Sequence, residues 1–192
     1  MASITPRNLI GQSGKAATVL VKNTEDFTIT GKGLAKNWEK TEWIKLTQRN
    51  NFDNRDGLST KVKVLYSNTG IYFLFHCDDE VLTATMEEHF EELWKEDVVK
   101  VFLWPYKGET VYFEYELSPL NYELPLLVVN NEGEQSHWVP FGYSYKGDRK
   151  TIHKTSVRGG EKKSGASVSE WIAEFFIPFE LLRPLKNIFP ES

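Results

Sequence analysis

An antiparallel β-sandwich is the fold class this sequence predicts, on three observations. Apolar residues recur with period two along most of the chain. Aromatic residues make up 14% of it, and these favour pleated, half-buried surfaces. Short Gly-, Asn- and Ser-bearing turns separate the alternating runs. With 192 residues, the chain can bury one sizeable core. No low-complexity tract, repeat or Pro/Ser-rich linker divides it, so residues 1–192 read as a single domain.

The elements follow in order. TKVKVLY (60–66) alternates, with Val62, Val64 and Tyr66 on one face and Lys61 and Lys63 on the other. SNTG turns the chain into IYFLFHC (71–77), which is apolar on both faces and therefore central in a sheet covered twice. Thr85 and Glu88 form a Thr-x-x-Glu capping box ahead of Met86, Phe90, Leu93 and Trp94 at helical spacing, which predicts a short helix. DVVKVFLW (97–104), PYKGE and TVYFEYELS (110–118) form a second hairpin; Val111, Phe113, Tyr115 and Leu117 share one face, and Tyr112, Glu114 and Glu116 the other. LPLLVVN (124–130) is a further strand, and NNEGEQSHWVPFGYSYKGD reads as a polar loop. TIHKTSVR (151–158) and ASVSEWIAEFFIP (166–178) form a third hairpin, and FELLRPL (179–185) a helical turn broken before Pro184.

Charge and composition exclude several classes. The formal net charge is −4 and the pI about 5.7, so the chain lacks the basic footprint that binds nucleic acid. No apolar run approaches membrane-spanning length, and the first fifteen residues lack the apolar core of a secretory leader. A single cysteine forms no intrachain disulfide and argues against a Cys-based zinc site; Cys77 reads as a small buried hydrophobe. Nucleophile-elbow, P-loop and dinucleotide fingerprints are absent from the sequence.

Three groups carry candidate chemistry. IYFLFHCDDE (71–80) ends an apolar strand in carboxylates. Asp78 and Asp79 with loop carbonyls would begin a calcium shell, while a strand end with solvated carboxylates accounts for the same residues. His89, His137 and His153 show no ligand spacing to His76. Glu114 and Glu116, two apart on a strand, stand about 7 Å apart on one face. That spacing permits a glycosidase pair, and a solvated face gives the same pattern. Among the tryptophans, Trp38, Trp43 and Trp171 read as core. Trp94 sits where the chain enters a strand, and Trp138 lies in the polar run near Phe141, Tyr143 and Tyr145. A flat aromatic face of this kind grips a sugar ring, with nearby polar groups binding its hydroxyls.

TKVKVLYSNTGIYFLFHCDDE, LWKEDVVKVFLWP, VYFEYELSPLNYELP and SEWIAEFFIPFELL together resemble the family 9 and family 9-like carbohydrate-binding modules, from about Phe27 to Leu185. Leu-Trp-x-x-Asp-x-Val and Trp-x-x-Glu-x-x-Ile-Pro carry the resemblance. It implies a non-catalytic β-sandwich that binds glucan or xylan chain ends in polysaccharide degradation, with structural calcium, no organic cofactor, and a bacterial periplasmic or extracellular setting. Trp94 matches one of two tryptophans that sandwich the sugar, and Glu114 and Glu116 fall on the strand that supplies hydroxyl contacts. The chain departs from the family in carrying Lys100 where a Glu is usual, and Glu114 and Glu116 where the best-known binders have Arg and Asn. A salt bridge from Lys100 to a Glu is the expected replacement. The family continues into a C-terminal segment bearing the second tryptophan, which is not found before the sequence ends at LKNIFPES; Trp138 is the expected substitute. The expected partner is an oligo- or polysaccharide held by Trp94, Lys100, Glu114, Glu116 and Trp138. A homo-oligomer through an exposed sheet edge is a further expectation. The alternatives are a glycoside-active enzyme using Glu114 and Glu116, an interaction domain that has lost its ligand, and a haem-holding sandwich using His76, His89 and Met86.

Overall fold

A computed structural model describes residues 3–4, 18–46, 57–106, 108–131, 134–142 and 145–187. Tyr143 and the end of LKNIFPES lie outside these residues. Twelve strands are named in chain order. Four are two-residue pieces: β1 (Ser3–Ile4), β2 (Val19–Leu20), β3 (Lys22–Asn23) and β4 (Ile44–Lys45). The long ones are β5 (Thr60–Tyr66), β6 (Gly70–Asp78), β7 (Val99–Leu103), β8 (Val111–Leu117), β9 (Glu123–Asn131), β10 (Glu134–Pro140), β11 (Ile152–Arg158) and β12 (Glu170–Pro178). β1 and β2 pair with each other. One six-stranded sheet runs β11-β12-β6-β5-β3, with β4 also on β5, and a four-stranded sheet runs β10-β9-β8-β7.

The two sheets pack face to face. Val62, Val64, Phe73, Phe75, Cys77, Ala173 and Phe175 of the first meet Val101, Phe113, Tyr115, Leu117 and Leu127 of the second. The alternation in β5 and β8 aims these residues inward because successive side chains leave a strand on opposite faces. The expected hairpins are present: β5 with β6 in register Val62↔Phe75, β7 with β8 in register Val101↔Tyr115, and β11 with β12 in register Thr155↔Ala173.

β6 is central and covered twice. Its second face, with Leu65, Ile172 and Phe176, lies beneath Ile29 and Trp38 of the N-terminal segment. Glu174 of β12 pins that segment. Its Oε2 accepts the N–H groups of Thr30 (2.8 Å), Gly31 (2.7 Å) and Gly33 (3.2 Å) and the Thr30 hydroxyl (3.0 Å), while its Oε1 accepts the Trp38 indole N–H at 2.8 Å. Gly31 and Gly33 have φ of +78° and +66°, a conformation open to glycine that lets successive N–H groups converge on one anion.

Two expectations fail. The segment after Thr85 is not a helix; only Leu93–Lys95 forms a 3-10 turn. The carboxylate serving Thr85 is Glu96, which takes the N–H groups of Thr85 (2.5 Å) and Met86 (3.2 Å) and the Thr85 hydroxyl. Phe90 has φ +70°, outside helical space. The run read as a loop at 134–140 is strand β10, exposed at every position and, among the described residues, paired only to β9. An edge strand with no buried face has no reason to alternate in polarity, so period two was silent there. A bulge between Gln135 and His137 and a terminal Pro140 interrupt this edge. The turn at FELLRPL is α1 (Phe179–Leu182), continuing past Pro184 as a 3-10 turn.

Candidate functional site

The outer face of the four-stranded sheet gathers the five residues expected at a sugar site. Cross-strand registers Lys100↔Glu116, Phe102↔Glu114 and Tyr112↔Val128↔Trp138 put Lys100, Phe102, Tyr112, Glu114, Glu116 and Trp138 on one surface. The 3-10 turn bearing Trp94 lies over it, with Leu93 buried against Tyr112, Leu124, Leu126 and Val128. The Trp94 and Trp138 ring centroids are 5.0 Å apart. The ammonium of Lys100 stands 5.9 Å from the Trp94 ring. Phe102 meets Tyr112 edge to face at 5.9 Å, and Gln135 donates to the Tyr112 hydroxyl at 2.6 Å.

Two roles expected from the sequence change. Glu116 exposes none of its surface and Glu114 only 5%, so neither carboxylate reaches a ligand as a hydroxyl contact. Both turn to Lys100, whose Nζ is 2.6 Å from Glu116 Oε1 and 3.4 Å from Glu114 Oε1. The expected Lys–Glu salt bridge is therefore present, and Lys100 is the member of the trio that comes to the surface. Burial pushes the Glu116 carboxyl up to about 7; the Lys100 ammonium lowers it and the neighbouring Glu114 raises it. The same burial removes the geometry of a catalytic pair, which needs both carboxylates open to substrate.

Trp138 does not form a parallel clamp with Trp94. The rings meet at an interplanar angle of 74°, edge to face. A sugar held between two parallel rings needs contact distance on both sides, a gap of about 7 Å. The pair instead makes a corner, half-buried Trp94 forming one wall and Trp138, 45% exposed, the other.

The acidic end of β6 divides. Asp78 is exposed, whereas Asp79 is buried and its Oδ1 accepts the N–H groups of Glu80 (2.8 Å) and Val81 (3.4 Å), capping its own turn. Calcium takes six to eight oxygens, and Asp79 Oδ1 is already engaged in its own turn. Cys77 is buried, and burial pushes its thiol up to about 12, so it is an inert core residue. His76 and Met86 lie too far apart in the fold to share a haem. His76 faces Trp43 (4.6 Å) and Glu170 (3.2 Å) on the outer side of the six-stranded sheet, whereas Met86 packs on the outer side of the other.

The contributions of Phe102, Tyr112 and Gln135 were not singled out from the sequence. Strand alternation placed Tyr112 beside the Glu pair, and the same alternation puts Phe102 on the face of Lys100. Gln135 gave no signal, because its strand was read as a loop.

Residues 29–181 match the family described as carbohydrate family 9 binding domain-like, and the chain belongs to that family, whose members are generally non-catalytic. No curated protein matches the chain. Among solved structures, a Bacteroides uniformis protein provisionally described as carbohydrate-binding shares the fold, with a TM-score of 0.64 and 14% identity over 82% of this chain and 71% of that one. A family 9 module from Caldicellulosiruptor kristjanssonii, solved with glucose and with cellotriose, aligns at 12% identity over 82% of this chain. Its TM-score is 0.49 in both complexes, which cover 68% and 66% of their chains.

Proposed function

We propose that this chain binds plant-type glucan or xylan oligosaccharides, by a chain end and without cleaving them, on the outer face of the four-stranded sheet. The observation that carries this reading is the convergence of Trp94, Trp138 and Lys100 on one open surface in a member of a carbohydrate-binding family. Trp94 is the stacking surface, because the apolar C–H face of a pyranose packs on an indole. Trp138 closes the corner. Lys100 is the hydroxyl contact, and Glu114 and Glu116 hold its ammonium in place. In this role the module would serve polysaccharide degradation by keeping an associated glycoside hydrolase on its substrate.

Affinity electrophoresis in soluble glucan and xylan gels tests the assignment. Trp94→Ala is expected to lose retardation entirely, since stacking on an aromatic ring supplies most of such a contact. Lys100→Ala is expected to weaken it about tenfold, near the 1.5–3 kcal/mol of a charged hydrogen bond. A Trp94→Ala protein retarded as strongly as the parent would place the site elsewhere.

A further inference from the structure

A second cluster lies away from the aromatic face, between the start of β9 and the edge strand β11. Glu123 opens β9 and is buried at 1% exposure. Its Oε2 is saturated by hydroxyl donors: Tyr115 (2.7 Å), Tyr145 (2.5 Å) and Thr151 (2.5 Å). Its Oε1 faces imidazoles. His153 Nε2 stands 3.2 Å away and His89 Nδ1 3.9 Å away. The three donor atoms lie within 4.8 Å of one another, and among the described residues this is the one group of three or more such side chains so disposed.

The tautomer at His153 sharpens the arrangement. In the tautomer whose Nδ1–H donates to the Asn121 side-chain oxygen, 3.1 Å away, Nε2 is left with its lone pair. The Nε2 lone pair then points at a carboxylate oxygen, and only a proton or a cation between them makes that contact attractive. A ring oriented by an outer carbonyl, with its other nitrogen beside a carboxylate, is the usual disposition of a metal-ligating histidine. Zn–N and Zn–O bonds of about 2.0–2.2 Å at tetrahedral angles separate ligand atoms by about 3.3–3.5 Å. The His153–Glu123 distance is already near that value. His89 must close by about half an ångström on Glu123 and by up to about 1.5 Å on His153, for which it releases the Glu123 N–H that its Nδ1 now accepts at 3.2 Å. A cavity of about 540 Å³, lined by Phe90, Pro140, Gly142 and Lys150, opens onto His89 and Glu123 and leaves room for a fourth, exchangeable ligand.

We propose that His89, Glu123 and His153 form a binding site for a divalent transition-metal ion such as zinc, with its fourth position open to the cavity. The ligands come from the loop before β7, from β9 and from β11, so the ion ties the four-stranded sheet to the six-stranded one. A chain with one cysteine has no disulfide to do this. This site is independent of the sugar face.

The test is calorimetric titration of the metal-free full chain with zinc chloride, alongside thermal unfolding. The expected result is one zinc per chain and a melting midpoint raised by about 5–10 °C at a hundredfold excess over Kd. Affinity is expected to fall at least tenfold in both His89→Gln and His153→Gln and to hold in His137→Gln. His89 is 44% exposed at its side chain, so its variant folds and keeps the test decisive even where His153→Gln does not. No stoichiometric zinc binding up to millimolar concentration overturns the proposal. So does an affinity unchanged in His89→Gln, or equally weakened in His137→Gln.

Discussion

Lys100 balances two carboxylates that the sheet buries, and Glu116 is the one that matters most for stability. Its folded-state value of about 7 lies above the 4.5 of an ordinary glutamate, because burial opposes the charged form more than Lys100 favours it. Folding therefore favours the proton. That contribution is whole below pH 4.5 and is lost as the pH rises through about 7. Glu116→Gln is expected to remove a loss of stability on the order of 2–3 kcal/mol between pH 4.5 and pH 8 in urea unfolding, read as the difference between parent and variant because His76 and His89, both lowered by burial, act in the opposite direction in that window. An identical pH dependence in parent and variant would assign the titration to another group. Binding at the aromatic face should respond in the same window, since Lys100 is held by the group that titrates.

At the scale of elements, the N-terminal segment and β12 are joined through Glu174. One fully buried carboxylate accepts the backbone N–H groups of Thr30, Gly31 and Gly33, the Thr30 hydroxyl and the Trp38 indole. Glu174→Gln keeps the shape and exchanges an acceptor oxygen for a donor. It is expected to cost about 1.5–3 kcal/mol in urea unfolding, the range for hydrogen bonds to a charged group. A cost below about 1 kcal/mol would mean that the segment is held mainly by Ile29 and Trp38. Elements with one buried face were legible in the sequence: the three hairpins follow from the alternation of Val62, Val64, Phe113, Tyr115 and their neighbours. β10 was not, because it buries neither face. The helix expected after Thr85 was misread for a different reason. A capping box is recognised by a carboxylate three residues on, but the carboxylate that serves Thr85 arrives from Glu96, across a turn that sequence spacing does not record.

On the scale of the whole molecule, the asymmetry between the sheets decides where a ligand has room. The outer face of the six-stranded sheet is covered by Ile29 and Trp38, whereas that of the four-stranded sheet is only partly covered, by the turn bearing Trp94. The open remainder holds Trp138 and Phe102, 45% and 53% exposed. The location of this face was readable from strand alternation and the family resemblance. The division of labour within it was not, because burial of Glu114 and Glu116 depends on a turn folding over them. The cluster at Glu123 was unreadable for a related reason: His89, Asn121, Tyr145, Thr151 and His153 come from segments whose meeting is a property of the sandwich, not of any local spacing.

The measurement that bears most directly on the central reading is isothermal titration of the full chain against glucose, cellobiose, xylobiose and longer glucan and xylan oligosaccharides. The account predicts saturable, enthalpy-driven binding to at least one of them, and none in Trp94→Ala. Heats no larger than dilution across the whole panel would contradict it and leave a sandwich whose aromatic face serves another partner.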